Sequence, residues 1–293
     1  MADHDRLAER FETHRSHLRG VAYRMLGSLS EADDAVQEAW LRLSRSDTAG
    51  VENLAGWLTR VVARVGLDML RTRRSRREEP LNPQQPGPIV NGQEEGNPEQ
   101  EALLADSVGL ALLVVLDRLA PAERVAFVLH DLFAMPFDEI APIVERTPTA
   151  AKKLASRARR RIQGTAPSPG TDLARRRQVA GAFLAAARGG DIKALLAVLD
   201  PDVVRRADRA ALPAGPAELR GAQAVAKETR VFSRPARFAR PALVDGAVGI
   251  VVAPRGKLRL AIGLTIKDDK IAEIDVIADP PRLRQLHLAI LGD

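Results

Sequence analysis

The chain has 293 residues, of which 45% are apolar and 28% charged, so we expect a folded protein of two or three domains with substantial cores. It contains no cysteine, which excludes disulfide frameworks, cysteine zinc sites and thiol nucleophiles and is typical of a reducing compartment. The formal net charge is +6, with basic residues concentrated in 57–77 and 146–161, and this favours a polyanionic partner. Since the N terminus has no signal-like apolar stretch and no apolar run reaches the length of a membrane span, we expect a cytoplasmic protein with no membrane partner.

Residues 6–77 form a first block in which apolar residues recur at helical spacing. Inside it, the stretch 31–43 predicts an amphipathic helix with acidic residues in its first turn and Ser30 as its N-cap. No histidine lies near these carboxylates, so neither acid–base chemistry nor a metal site is predicted there. The exposed face of this helix is expected to include Asp33, Asp34, Gln37, Glu38 and Leu41.

Residues 57–77 hold seven arginines and one acidic residue. Such a density of like charge is repulsive unless an anion neutralises it, so the helix predicted here suits a nucleic-acid backbone. Trp57 stands at its start, where it either stacks on an unpaired base or packs in the core. The candidate DNA-binding residues are Trp57, Arg60, Arg64, Arg71, Arg73 and Arg74.

Residues 78–101 contain five prolines and no helical or strand periodicity, which predicts a flexible linker. The second block, 102–165, is again helical. Within it, 137–144 predicts a short helix, 145–147 a turn, and Thr147-Pro148 the start of a second, amphipathic helix. This pattern is typical of a helix-turn-helix, although a basic solvated helix is the alternative. The residues expected nearest to DNA are Thr149, Lys152, Lys153, Ser156, Arg157 and Arg160.

The third block, 172–291, starts with helices at 172–189 and 191–199 and continues with strands joined by turn residues. A final helix is expected at 280–290. Helices followed by an antiparallel meander predict an α+β fold with a curved sheet that holds helices. His287 is expected on the surface of the final helix, and Asp208 and Asp275 have no evident partner, so no catalytic residue, cofactor or metal is predicted.

Together, these segments resemble the extracytoplasmic-function (ECF) class of bacterial sigma factors, of the sigma-70 family. The segment from "FETHRSHLRG" to "RRSRRE" is similar to sigma region 2. The segment from "LDRLAPAERV" to "SRARRRI" is similar to region 4. The segments "LLAVLDPDVVRRAD", "VDGAVGIVVA" and "KIAEIDVIADPPRLRQL" resemble the SnoaL-like domain of one sigma-factor subgroup. The resemblance implies a multidomain fold of two all-α domains followed by an α+β cone domain.

The resemblance also implies roles by position. The residues Asp33, Asp34, Gln37 and Glu38 match the segment that docks on the β′ clamp helices of core RNA polymerase. Residues 44–56 and 57–71 match the elements that melt and read the −10 promoter element, and 147–160 matches the −35 recognition helix. The implied protein is a non-enzymatic sigma factor with core polymerase (β′ clamp helices and β flap) and promoter DNA as partners. Its C-terminal domain is expected to contact region 2 and the linker and to modulate activity.

Two other functions are compatible with parts of the chain. A one-component helix-turn-helix regulator would use the third block to sense a small ligand, but it has no need of the module at 6–77. An enzyme in the third block would need a buried acid–base pair, which the sequence does not supply.

Overall fold

The computed structural model describes residues 2–46, 53–78, 109–163, 171–213, 215–232 and 236–291. The chain forms two compact units, one of Met1–Val108 with Leu119–Arg159 and the other of Gly109–Arg118 with Arg160–Asp293. The predicted linker 78–101 lies outside the described residues except for Glu78, and so does the centre of the predicted 44–56 loop. Among the described residues, no helix combines the length and the apolar character that a membrane crossing requires.

In the first unit, three helices pack against one another: α1 (Ala2–Leu26), α2 (Leu29–Arg45) and α3 (Leu54–Glu78). Gly27 joins α1 to α2 with a φ of 74°, a conformation that glycine adopts without strain. The predicted N-cap of α2, Ser30, is wrong by two residues. Ser28 caps this helix because its hydroxyl accepts a hydrogen bond from the Glu31 amide at 3.5 Å, and Ser30 lies inside the first turn.

The fourth helix, α4 (Leu110–Leu116), belongs to the second unit, and the first unit resumes with α5 (Pro121–Phe127) and a π-helical turn (Val128–Leu132). The predicted helix-turn-helix follows as α6 (Phe137–Ile143) and α7 (Pro148–Gln163). Thr147 caps α7 as predicted, since its hydroxyl accepts from the Ala150 amide at 3.3 Å. The second helix of the motif is therefore fixed by a local sequence signal.

The second unit contains α8 (Thr171–Gly189), α9 (Ile192–Val198) and a seven-stranded sheet. Besides α4, it also includes α10 (Ala222–Val231) and α11 (Pro280–Gln285). The strand order in the sheet is β2-β1-β6-β5-β4-β3-β7. The strands are β1 (Leu199–Ala207), β2 (Glu218–Arg220), β3 (Ala239–Val244), β4 (Ala247–Val252), β5 (Leu260–Lys267), β6 (Lys270–Ile277) and β7 (Leu288–Ala289).

The predicted α+β architecture is confirmed, with two corrections. Strands β3 to β6 form the expected antiparallel meander, but β1 pairs with β6 in parallel, so the sheet is mixed. The final helix ends at Gln285 instead of continuing to 290, because the chain turns to pair with β3 as β7. The Asp245 carboxylate holds that turn by accepting from the His287 amide at 2.7 Å.

Both faces of the sheet carry buried residues at β3 and β4. One face packs α8, α9 and α10 in a core that includes Phe183, Leu195 and Ile250. Residues on the other face, such as Ala242 and Val251, are also buried, each 1% exposed. Helix α4 has the entirely apolar sequence LALLVVL. It packs against β3, β7 and the turn Pro254–Gly256. The first described helix of the predicted 102–165 block therefore packs against the sheet of the C-terminal unit.

Candidate nucleic-acid and partner interfaces

Helix α7 presents the predicted −35 residues on one face. At about 100° per residue, the six positions fall within an arc of about 140°. Ala151, Ala155 and Ala158, on the opposite side, are completely buried. Of the six, only Ser156 is half-buried, and the others are exposed: Thr149, Lys152, Lys153, Arg157 and Arg160.

The charges on this face are not neutralised within the described part of the chain, since no ion pair there involves Lys152, Lys153 or Arg157. Their neighbour Arg159 is different, because its guanidinium donates to Asp131 Oδ1 at 3.0 and 2.5 Å. One arginine therefore anchors α7 to the rest of the unit and the cations beside it face solvent. An exposed cationic helix face with a fixed orientation suits a polyanion such as duplex DNA.

Helix α2 presents the residues predicted to contact the polymerase, but they are not equivalent. Asp33 pairs with Arg19 at 2.7 Å, and Glu38 pairs with Arg42 at 2.8 Å. Asp34, Gln37 and Leu41 lie one turn apart on the same face and are all exposed. Leu41 is 37% exposed, and Asp34 has no ion-pair partner in the described chain. This strip combines a negative charge with an apolar side chain.

Helix α3 places three of the predicted −10 arginines on one face, within about 40° of one another. All three contact α6 or the turn after it. Arg60 lies 3.6 Å from the Glu139 carboxylate, and Arg64 donates to the Pro142 carbonyl at 3.0 Å. Arg71 pairs with Glu145 at 3.0 Å. Sequence reasoning missed Glu139 and Glu145 as partners, because each lies more than 70 residues from the arginine that it contacts.

The remaining predicted −10 residues have different surroundings. Trp57 is half-buried near the start of α3. Arg73 is largely buried, and its guanidinium donates to the Leu26 carbonyl at 3.2 Å and to Glu31. It therefore ties α3 to the junction between α1 and α2. Arg74 is exposed and also has an interaction partner within the protein.

In the second unit, Arg205 and Asp208 have structural roles. Arg205 is 3% exposed at its side chain and donates to both oxygens of Glu228, at 2.8 and 2.5 Å. The Asp208 carboxylate accepts from the amides of Ala211, Ala278 and Asp279 at 2.9 to 3.0 Å. His287 lies in the turn after α11 with a side chain that is 93% exposed.

Arg118, which follows α4, is also held within this unit. It donates to the carbonyls of Leu283, at 2.6 Å, and Leu286. Burial lowers the pKa of Arg118, and the carboxylates of Asp117 and Asp245 oppose that shift. Within the described ranges, no group of three or more histidines and carboxylates is placed to hold a metal ion.

Two family models match the chain, sigma-70 region 2 over residues 10–76 and sigma-70 region 4 over residues 109–162. These regions define the chain as a sigma-70-type protein with a further C-terminal domain. The ECF RNA polymerase sigma factor SigJ of Mycobacterium tuberculosis H37Rv is 36% identical over 287 residues, which cover 93% of this chain and 91% of SigJ. The probable ECF RNA polymerase sigma factor SigI of that species is 33% identical over 306 aligned positions and the full length of both chains.

The crystal structure of SigJ matches 94% of this chain and 98% of SigJ, with 32% identity and a TM-score of 0.46. The 36% sequence identity to SigJ over 93% of this chain shows that the chain belongs to the ECF RNA polymerase sigma factors. Membership of this family implies core RNA polymerase and promoter DNA as partners. The alternative of a one-component regulator is not favoured, because residues 10–76 match sigma region 2.

Proposed function

We propose that this protein binds core RNA polymerase through the exposed strip of α2 and directs it to promoters through α3 and α7. The observation that carries the proposal is the presence, in one sigma-factor chain, of an acidic-apolar strip and a cationic recognition helix. Both are fixed by local packing and both are exposed to solvent. The polymerase supplies the chemistry, so the chain itself needs no catalytic residue.

On α2, we assign the central contact with the β′ clamp helices to Asp34, Gln37 and Leu41. Asp34 offers a charge that no described residue neutralises, and Leu41 offers apolar area that a partner would remove from water. Asp33 and Glu38 flank the strip and are already paired with arginines, so we expect them to contribute less.

On α7, the N-terminal residues Thr149, Lys152 and Lys153 are placed to approach base edges of the −35 element. Ser156, Arg157 and Arg160 continue the same face toward the phosphate backbone. The arginines of α3 and the half-buried Trp57 are assigned to the −10 element, with Arg74 beside them. Arg73 is better suited to hold the fold of region 2, since its guanidinium is occupied there.

The C-terminal domain is proposed to modulate this activity. The support is that α4, where the region 4 match begins, packs against β3 and β7 of that domain, so a change at these strands would act on the start of region 4. A contact of the domain with region 2 and the linker, and a contact of region 4 with the β flap, are retained from the sequence as further parts of the proposal.

The test is transcription from genomic fragments of the source organism by core polymerase with and without the purified chain. We expect new start sites with the chain, their loss with Asp34→Arg, and a strong reduction with Lys152→Ala plus Arg157→Ala. The matched controls are Glu12→Arg on α1 and Lys257→Ala plus Arg259→Ala in the C-terminal domain, which should leave the start sites unchanged. Identical start sites for core alone and for every variant would contradict the proposal.

A further inference from the structure

We propose that α3 and α6 form a latch in which the helix-turn-helix occupies the DNA-binding face of region 2 until nucleic acid replaces it. The inference rests on the proposed function of the α3 arginines. The new element is that the three arginines of α3 have two alternative partners, the acceptors around α6 within the chain and a nucleic acid outside it. The latch comprises Arg60, Arg64 and Arg71 on α3 with Glu139, Pro142 and Glu145 opposite them.

The contacts of the latch follow one helix face in order. Arg60 meets Glu139 near the start of α6, and Arg64 meets the Pro142 carbonyl near its end. Arg71 meets Glu145 in the turn between α6 and α7. Two carboxylates and a carbonyl oxygen thus provide a line of acceptors for three guanidinium groups, as a phosphate backbone does. A DNA strand on this face would compete for the same donors.

Packing reinforces the polar contacts. Leu67 lies on the arginine face of α3, between Arg64 and Arg71, and is only 1% exposed. Helix α3 packs against both α5 and α6 within the first unit, and Ile140 and Ile143 of α6 are buried. The face that carries the arginines therefore contacts another part of the first unit and is not free on its own.

The ion pairs of the latch are exposed to solvent and weak enough to be exchanged. The side chains of Arg60, Glu139, Arg71 and Glu145 are 41 to 59% exposed, so water and salt screen each ion pair. Exposed pairs of this kind contribute little individually, and each one can be exchanged for a phosphate at small cost. We therefore expect high salt to loosen the latch.

The first test measures the distance between α3 and α6 in the full-length protein. Because the chain has no native cysteine, Ser75→Cys and Asp138→Cys can carry a specific pair of spin labels outside the latch. We expect one narrow, short distance distribution at low salt, and a broader and longer one when Glu139→Gln and Glu145→Gln are added. The control, Glu9→Gln with Glu12→Gln on α1, has the same change in charge and should keep the short distance. An unchanged distance in the Glu139/Glu145 variant would overturn the latch.

The second test measures binding of short, mixed-sequence single-stranded DNA to the same proteins. We expect the Glu139/Glu145 variant to bind about two- to tenfold more tightly than the α1 control at low salt, with a smaller gain at high salt. If the spin labels separate but DNA affinity equals that of the control, the contact between α3 and α6 stands, but its replacement by nucleic acid fails together with the assignment of α3 to DNA. If DNA affinity rises while the labels stay close, the latch is wrong.

Discussion

Arg159 of α7 and Asp131 of the preceding π-helical turn are joined by two hydrogen bonds to one carboxylate oxygen, at 3.0 and 2.5 Å. The pair spans 28 residues and connects the recognition helix to the helix that precedes the helix-turn-helix. Arg159 therefore differs from the neighbouring cations on α7. Its guanidinium contacts another part of the protein, whereas theirs face solvent. We therefore expect the orientation of the proposed DNA-binding face to depend on this contact.

Asp131→Ala should therefore weaken DNA binding without removing any DNA-contacting group. We expect the free energy of unfolding of the first unit to fall by about 1 kcal/mol, since the pair is partly exposed. Urea denaturation followed by circular dichroism measures this loss, and fluorescence anisotropy with duplex promoter DNA measures affinity. Asp138→Ala, an exposed acid on α6, is the control. Equal effects of the two substitutions would show that the Asp131 contact does not orient α7.

The cationic face of α7 makes a prediction about salt. Each lysine or arginine that neutralises a phosphate releases counterions, so log affinity falls linearly with log salt. Lys152→Ala with Arg157→Ala should lower the affinity of the holoenzyme for duplex −35 DNA and reduce the salt slope by up to about two. A titration at several salt concentrations measures both quantities. A lower affinity with an unchanged slope would mean that these side chains do not contact phosphates.

The buried pair of Arg205 and Glu228 makes a prediction about the C-terminal unit. Arg205→Ala leaves the Glu228 carboxylate and the Pro216 carbonyl without their donor, and removal of one partner from a buried pair costs about 3 kcal/mol. Thermal unfolding should show a clear loss of stability in this unit. The adjacent Arg206, whose side chain is 46% exposed, is the matched control and should tolerate alanine with little change. Comparable losses at both positions would contradict the role assigned to burial.

Arg118 makes a prediction about the boundary between region 4 and the C-terminal domain. Arg118→Ala removes the hydrogen bonds to the Leu283 and Leu286 carbonyls, so α4 should separate more readily from β3 and β7. Hydrogen exchange followed by mass spectrometry should show faster exchange in 110–116 and 283–289. Arg284→Ala, an exposed arginine on α11, is the control. Unchanged exchange in 110–116 would mean that apolar packing alone holds α4.

Local signals in the sequence predicted the elements that local chemistry determines. The Thr147 cap and the spacing of alanines and cations along α7 required no knowledge of distant residues, and both are confirmed by the structure. The meander of β3 to β6 was readable from strand patterns and turn residues for the same reason. Ser30 was misassigned as a cap because Ser28, two residues earlier, offers the same hydroxyl chemistry.

The features of the structure that the sequence does not predict depend on contacts between distant residues. The sequence shows an arginine face on α3, but it does not show that Glu139 and Glu145 fold against it. The apolar run at 110–116 is predicted as part of the helical block 102–165, and only the tertiary structure places it against β3 and β7. Similarly, the helical pattern at 280–290 does not show that the last residues form β7. That strand depends on pairing with the distant edge of β3.

The most direct measurement is association of the full-length protein with core RNA polymerase on a sizing column at moderate salt. The account predicts stoichiometric co-elution, its loss with Asp34→Arg on the exposed strip of α2, and its retention with Glu12→Arg on α1. Failure of the unmodified protein to co-elute, or equal co-elution of all three proteins, would contradict the assignment of this strip as the polymerase-binding surface.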